Sequence, residues 1–349
     1  MEERKPLVGI THGDINGIGY EVIIKTLLDP QILEICTPVV YGSPKVFAYH
    51  RKALNIDNFS LNSIMQAREA NPKRANLVNC LDDNTRVELG KSTTHAGEAA
   101  YAALERATQD LLENQIDALV TGPVNKHNIV VGEEVFTGHT EYLQRKFEST
   151  QVLMLMVAPH LRVAVVTGHI PLKEVPFSLT YDRIMDKLRL LNTTLQNDFN
   201  IRKPRIAVLG INPHAGDQGL FGTEEQEILI PLIEEARNEG MMALGPYSAD
   251  GLFGSGLYTK FDAILAMYHD QGLAPFKALA FDGGVNFTAG LPVVRTSPAH
   301  GTAYELAGLN EASPDSLRQA IFVACEIYKT RKMNRELMRH ALPNHNGNE

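Results

Sequence analysis

The chain reads as an α/β protein of two lobes, on three observations. Apolar strand-like runs alternate with helical patterns along the sequence, as in parallel sheets covered by helices. At 349 residues it is too long for one ordinary core and long enough for two. Three of the apolar runs also end in a histidine. Val163–Thr167 leads through Gly168 to His169, Ile206–Leu209 through Gly210 and Pro213 to His214, and Ala263–Met267 through Tyr268 to His269. In an open α/β sheet ligands sit outside the carboxyl ends of strands, so side chains at such endings face a site.

Three imidazoles in one topological position point to a transition-metal site, because neutral imidazole suits zinc, copper, iron and nickel. The plain alternative is three loop histidines. The spacings, 45 and 55 residues, are not a local signature such as His-Glu-x-x-His, so the fold would have to supply the geometry.

Composition narrows the class. Hydrophobic residues make up 44% and charged residues 21%, as in soluble globular proteins. A net charge of -8 argues against a nucleic-acid partner. Cys36, Cys80 and Cys325 are isolated and odd in number, which fits a reducing cytoplasm better than a disulfide framework. Residues 1–6 are charged and lead straight into a strand, so neither a signal peptide nor a membrane span is expected.

In chain order, residues 7–11 form a short apolar strand, followed by His12-Gly13-Asp14-Ile15-Asn16-Gly17-Ile18-Gly19 and a helix over 20–28. A strand, a glycine-rich turn and a helix N-terminus can hold an anion. Yet the spacing of Gly13, Gly17 and Gly19 is neither the dinucleotide fingerprint nor a phosphate loop, and a tight turn explains it equally. Residues 38–42 form a second strand, and Pro44 opens a helix. Residues 71–90 read as irregular, with an edge strand at 75–79. A helix over 94–114 carries Ala100, Ala103, Leu104, Ala107 and Leu111 on one stripe. The strand 116–121 ends in Gly122-Pro123-Val124-Asn125-Lys126, where Lys126 either meets an anionic group or is a solvated loop lysine.

Residues 136–143 read as a loop entering a helix capped by Thr137 or Thr140. A hairpin pairs 151–158 with 161–167 across Pro159-His160. Helices follow at 181–199 and 223–239, the second with a capping box of Thr223 and Gln226. Residues 246–256 are a glycine-rich connection containing Asp250. Residues 272–275 read as a turn, strands are expected at 276–281 and 285–293, and helices at 303–307 and 316–339, with Ser313 or Asp315 capping the last. Residues 343–349 read as a frayed tail.

These stretches resemble the 4-hydroxythreonine-4-phosphate dehydrogenases of vitamin B6 biosynthesis. The matching motifs include Thr11-His12-Gly13-Asp14, Thr121-Gly122-Pro123-Val124-Asn125-Lys126, Thr137-Gly138-His139-Thr140-Glu141 and Asn212-Pro213-His214-Ala215-Gly216. They continue with Tyr268-His269-Asp270-Gln271-Gly272, Gly284-Val285-Asn286-Phe287-Thr288, Arg295-Thr296-Ser297 and His300-Gly301-Thr302-Ala303. They keep the family's order from about residue 7 to about 332. Two positions depart from it: Ile15-Asn16 stands where Pro-Ala is common, and Pro298-Ala299 where an acidic residue often precedes His300.

The resemblance implies an isocitrate/isopropylmalate-dehydrogenase-like fold with a cleft between two lobes. One lobe would comprise residues 1–130 and 286–349, the other 131–285, and a homodimer would share its sites. It implies metal ligation by His169, His214 and His269, and substrate contacts by His139, Thr140, Lys277, Asn286 and Arg295. The stretch 300–308 also resembles the adenosine-wrapping loop of isopropylmalate dehydrogenases, which implies cofactor contacts at Ser297, His300, Gly301, Thr302 and Ala303. Implied cofactors are NAD or NADP and a divalent metal, zinc foremost, with magnesium and cobalt as alternatives. The implied reaction is oxidation of 4-phosphohydroxy-L-threonine followed by decarboxylation to 3-amino-2-oxopropyl phosphate, on the way to pyridoxal 5'-phosphate. Relatives acting on D-threonate or D-erythronate 4-phosphate share the motifs. Asp250, Asp270 and Lys126 are the candidates for proton transfer. A zinc hydrolase and a non-catalytic phosphometabolite or metal-binding protein are the rival readings.

Overall fold

One twelve-stranded sheet organises the protein. The computed structural model describes residues 4–82, 84–131, 134–280 and 283–339. The strands are β1 (Leu7–Thr11), β2 (Thr37–Gly42), β3 (Asn62–Ile64), β4 (Asn76–Asn79), β5 (Ala118–Thr121), β6 (Val130–Val131) and β7 (Glu134–Val135). They continue as β8 (Leu153–Ala158), β9 (Leu161–Thr167), β10 (Arg205–Leu209), β11 (Met242–Tyr247), β12 (Ala263–Tyr268), β13 (Val285–Ala289) and β14 (Arg295–Pro298). β6 and β7 pair as a separate ribbon. The rest run in the order β11-β10-β12-β9-β8-β13-β14-β5-β1-β2-β4-β3.

All neighbours in the sheet are parallel except β9–β8, β8–β13 and β13–β14. Three reversals separate the two parallel blocks, so the blocks run in opposite directions. Strands buried on both faces need continuous apolar runs, which is why β1, β5, β10 and β12 lack alternation. Helix Thr94–Leu112 packs its small-residue stripe over β1, β2 and β5, and Asp315–Arg339 packs against β5, β13 and β14. His269–Leu279 lies on β9 and β12. Each fully buried Leu or Ile in these layers stabilises the fold by roughly 1.5–3 kcal/mol.

Several expectations are corrected. Residues 276–279 belong to helix His269–Leu279 with Ala280 as its C-cap, not to a strand; Phe281 and residues 340–349, which include the expected tail 343–349, lie outside the described residues. Gly272 is there for close packing rather than a turn, since a Cβ would come within 2.8 Å of Val163 and 2.9 Å of Ala266. The expected strand 285–293 stops at Ala289, where β13 ends, because Gly290 takes φ +88° and Pro292 cannot donate to a ladder; β14 begins only at Arg295. The outer edge is β3, beyond β4; β11 is unexpected and reaches into the expected connection 246–256 at Pro246 and Tyr247, and helix Ala249–Gly254 lies within that connection. The helix from 139 is preceded by Gly138 with no side-chain cap, so neither Thr137 nor Thr140 caps it. The Thr223 capping box is absent as well. A π-turn, Glu225–Leu229, precedes helix Ile230–Asn238, where Pro231 lacks the N–H for a regular bond.

The glycine-rich turn after β1 rests on a stack of rings. Tyr20 lies 5.0 Å from His12 and 5.0 Å from His50, at 13° and 19°. His12 Nδ1 is 2.7 Å from the Gly13 carbonyl and His50 Nε2 is 2.8 Å from that of Ile15, so both imidazoles tie down the turn. Burial lowers both pKa values from 6.5 to about 4. Between those values the unfolded chain binds more protons than the folded one. Stability contributed by the neutral rings is therefore complete above pH ~6.5 and lost as pH falls toward ~4, on the order of 3 kcal/mol per ring. Urea unfolding across this range is expected to show that loss, and His50→Gln, which keeps a donor for Ile15, to make it shallower.

Candidate active site

The middle strands form the floor of a cavity of about 350 Å³. Met156, Asn286 and Ser297 sit opposite one another on β8, β13 and β14. Met154 and Arg295 lie two residues along on the same face, because side chains alternate with period two. Lys126, His139, Thr140 and Glu141 close one wall; His169, His269 and Lys277 close another, and His300 and Gly301 complete the rim.

Arg295 is 2% exposed. Its Nε and Nη2 donate to Thr121 Oγ1 at 3.2 and 2.6 Å, and Nη1 donates to Thr288 Oγ1 at 3.0 Å. Thr288 is its neighbour across the β13–β14 pair, and Thr121 ends β5. Two hydroxyls orient the guanidinium without neutralising it. Burial lowers its pKa to about 10, so it stays charged at neutral pH. With Lys126 and Lys277 it sets three cations against Glu141, the one carboxylate lining the cavity among the described residues. A concave site with that balance draws small anions.

His139, His169 and His300 are biased toward the neutral form. Burial, then the charges of Arg295 and Lys126, hold His139 well below its usual pKa. Burial and the neighbouring Lys126 and His269 lower His169, and burial lowers His300. His139 Nε2, His300 Nε2 and Asn286 Oδ1 are buried without a protein partner, a cost of roughly 1–3 kcal/mol each that a ligand can remove.

β10, β12 and β9 are adjacent and parallel, so the three strand-end histidines leave neighbouring strands. His169 and His269 meet in the cavity with ring centroids 5.5 Å apart. Nδ1 of His269 lies 2.7 Å from Asp270 Oδ1, so in the tautomer that donates Nδ1–H to this carboxylate Nε2 carries the free lone pair. A carboxylate-oriented imidazole beside a neutral one fits a divalent metal's donor preferences. His214 does not line this chain's cavity, and no group of three metal-ligating side chains forms among the described residues. It stands exposed on an unusual turn. From His214 to Gln218 all five φ angles are positive: 53°, 51°, 81°, 40° and 57°. Buried Glu225 steadies the turn's entry, accepting from Ile211 N and Asn212 N at 2.7 Å each.

Of the residues read from sequence, Lys126, His139, Thr140, Lys277, Asn286, Arg295, Ser297, His300, Gly301, His169 and His269 all line the cavity. Asp250, in the first turn of its helix, does not, and Asp270 touches His269 rather than the cavity. Thr302 and Ala303 continue the loop away from it. Gly13, Gly17 and Gly19 serve close backbone approach: a Cβ on each would lie 2.2 Å from Pro123 O, 2.5 Å from Thr302 O and 1.9 Å from His12 O. Sequence reasoning gave no role to Glu141, Thr121 or Thr288. The available signal was position, Thr121 ending a strand and Glu141 falling two residues after His139.

A buried guanidinium and two lysines over such a sheet have the charge to suit a small anionic ligand. The architecture is that of the isocitrate dehydrogenases. The Methylococcus capsulatus isocitrate dehydrogenase aligns with TM-score 0.52 over 96% of this chain and 89% of its own, at 13% identity, a likeness of fold alone. A family model described as pyridoxal phosphate biosynthetic protein PdxA matches residues 34–324. A 4-hydroxythreonine-4-phosphate dehydrogenase from Bacteroides thetaiotaomicron is 56% identical over 334 residues, 95% of this chain and 91% of that one. The crystal structure of a 4-hydroxythreonine-4-phosphate dehydrogenase from Klebsiella pneumoniae has TM-score 0.79 and 34% identity, covering 93% of this chain and all of that one. A relative provisionally named a D-threonate 4-phosphate dehydrogenase, from Oceanobacillus iheyensis, is 37% identical over 332 residues, 94% of this chain and 99% of that one. This chain belongs to the PdxA family.

The donor geometry generates a binding prediction. His269→Ala is expected to abolish high-affinity zinc binding, and Asp270→Ala to weaken it by about 10-fold through loss of the imidazole's orienting partner. Competition with a chelating dye measures both; unchanged affinity in His269→Ala would remove this residue from the donor set.

Proposed function

We propose that the protein oxidises 4-phosphohydroxy-L-threonine to 2-amino-3-oxo-4-phosphooxybutanoate in pyridoxal 5'-phosphate biosynthesis, reducing NAD or NADP and releasing one proton. The single observation that carries this reading is a cavity pairing a buried arginine with two adjacent imidazoles, in a chain of the PdxA family. The keto acid then loses carbon dioxide to give 3-amino-2-oxopropyl phosphate. D-threonate 4-phosphate is the second reading, favoured by the Oceanobacillus iheyensis relative.

His169 and His269 would hold the divalent ion, zinc before magnesium or cobalt, with His214 of the partner subunit completing the set in a homodimer. The exposure of His214 and its place outside its own chain's cavity support that sharing. When bound, such an ion would supply Lewis-acid polarisation of the reacting hydroxyl, and a nicotinamide would supply the hydride acceptor. Arg295, Lys277, His139 and Thr140 bind the phosphate, since a dianion leaves water only for several charged donors. Asn286 Oδ1 accepts from a substrate hydrogen. Lys126 is the favoured proton carrier, because it lines the cavity while Asp250 and Asp270 do not. His300 and Gly301 bring the cofactor loop to the rim, with Ser297 on the floor and Thr302 and Ala303 beyond.

Incubation with 4-phosphohydroxy-L-threonine or D-threonate 4-phosphate, each with NAD and NADP and a metal panel, tests the reading. Substrate-dependent absorbance of reduced nicotinamide is expected; phosphate release without it would favour a hydrolase. Arg295→Ala should raise KM and lower kcat/KM by at least ~10-fold, on the order of 1.4 kcal/mol, with metal content unchanged.

A further inference from the structure

Asp14 is a carboxylate with no use in the cavity, yet it is 1% exposed. Its Oδ1 accepts the Asn16 N–H at 2.8 Å, and its Oδ2 accepts Asn128 Nδ2 at 2.8 Å and the Tyr304 hydroxyl at 2.7 Å. All three donors are uncharged. Burying an acid on such terms is costly unless every bond is made, and a charged acceptor makes each bond stronger than a neutral one. The bond to Tyr304 spans 290 residues and reaches the loop 300–308.

That loop is held elsewhere too. Ile18 N–H donates to Thr302 O at 3.0 Å, a contact that Gly17 permits by lacking a Cβ. Between the two anchors Ala303 has φ +43° and ψ +58°, a left-handed conformation disfavoured for alanine. Such strain persists only where the surroundings over-determine it. Asn16 adds a third segment. Its side chain donates to Lys91 O at 2.9 Å and Thr93 Oγ1 at 3.1 Å, and accepts from Glu88 N at 2.7 Å. Segment 88–93 lies against the same loop: a Cβ on Gly308 would sit 2.7 Å from Leu89, and one on Gly90 3.2 Å from Tyr304 O.

We propose that Asp14 and Tyr304 are positioning residues whose hydrogen bond fixes the 300–308 loop in the shape that receives the adenosine half of a nicotinamide dinucleotide. This rests on the reading of that loop given under the proposed function. The loop begins at the cavity rim with His300 and Gly301 and is clamped at Tyr304, so the clamp sets where the dinucleotide's far end can lie.

The test uses the full-length, metal-loaded protein, with fluorescence titration of NADH and NADPH and steady-state kinetics. Tyr304→Phe removes one hydroxyl, and Asp14→Asn removes the charged acceptor at nearly constant volume. Each is expected to raise dinucleotide Kd and KM by about 10-fold, the loss of one bond to a charged group. kcat at saturating dinucleotide and KM for the phosphorylated substrate should change less than about two-fold. The double variant should lose less than the product of the two single effects, because both break the Asp14–Tyr304 bond. Additive losses would mean two separate contacts and overturn the proposal. Wild-type dinucleotide affinity in Tyr304→Phe overturns it as well, and that variant remains decisive if Asp14→Asn fails to fold. Absence of dinucleotide binding by the unaltered protein would instead refute the functional reading and this inference together.

Discussion

A buried guanidinium with no ion-pair partner among the described residues is the constraint around which the site is arranged. Arg295 opens β14, the strand that joins the antiparallel centre of the sheet to the block of β5 and β1. Its hydrogen bonds reach Thr121 on β5 and Thr288 on β13, so the strands that close the sheet also aim the charge. The same low-dielectric surroundings keep His139 neutral beside it, since a second positive charge there would be costly. The buried cation and the neutral ring share one patch of burial.

The direction of the strands explains how distant parts of the chain share one cavity. Three antiparallel pairings in the middle invert one parallel block relative to the other. Residues after β5 and after β9 therefore approach the central floor from opposite blocks. The floor itself follows from register: with Asn286 opposite Met156 and Ser297, every second residue on these strands must face the cavity.

Much of this was legible in the sequence because it depends on periodicity. Continuous apolar runs gave the buried strands, and the strand-end position of His169 and His269 gave two residues that meet in the cavity. Readings failed where one residue admits two uses. Gly272 and Pro275 look like a turn, but Gly272 is a contact surface for β9 and β12, and the helix runs on through Pro275. Met242–Tyr247 includes Gly245 and Pro246, poor strand residues that an edge position tolerates. Asn16, noticed as a departure from the family pattern, could not be interpreted until its partners at 88–93 were in view. Arg295 required the fold, since no local pattern distinguishes a buried arginine from an exposed one.

The left-handed run that carries His214 bears on how such a protein could be made sturdier. Ala215, Asp217 and Gln218 occupy backbone angles that glycine adopts freely and other residues adopt at roughly 1–2 kcal/mol each. Protein engineers usually look for added stability in core packing or surface charge. Here unclaimed stability lies in a short exposed turn beside a candidate metal ligand. Glycine there would relieve the strain and also loosen the backbone that presents the imidazole. In this turn, thermal robustness and the fixed presentation of His214 pull in opposite directions.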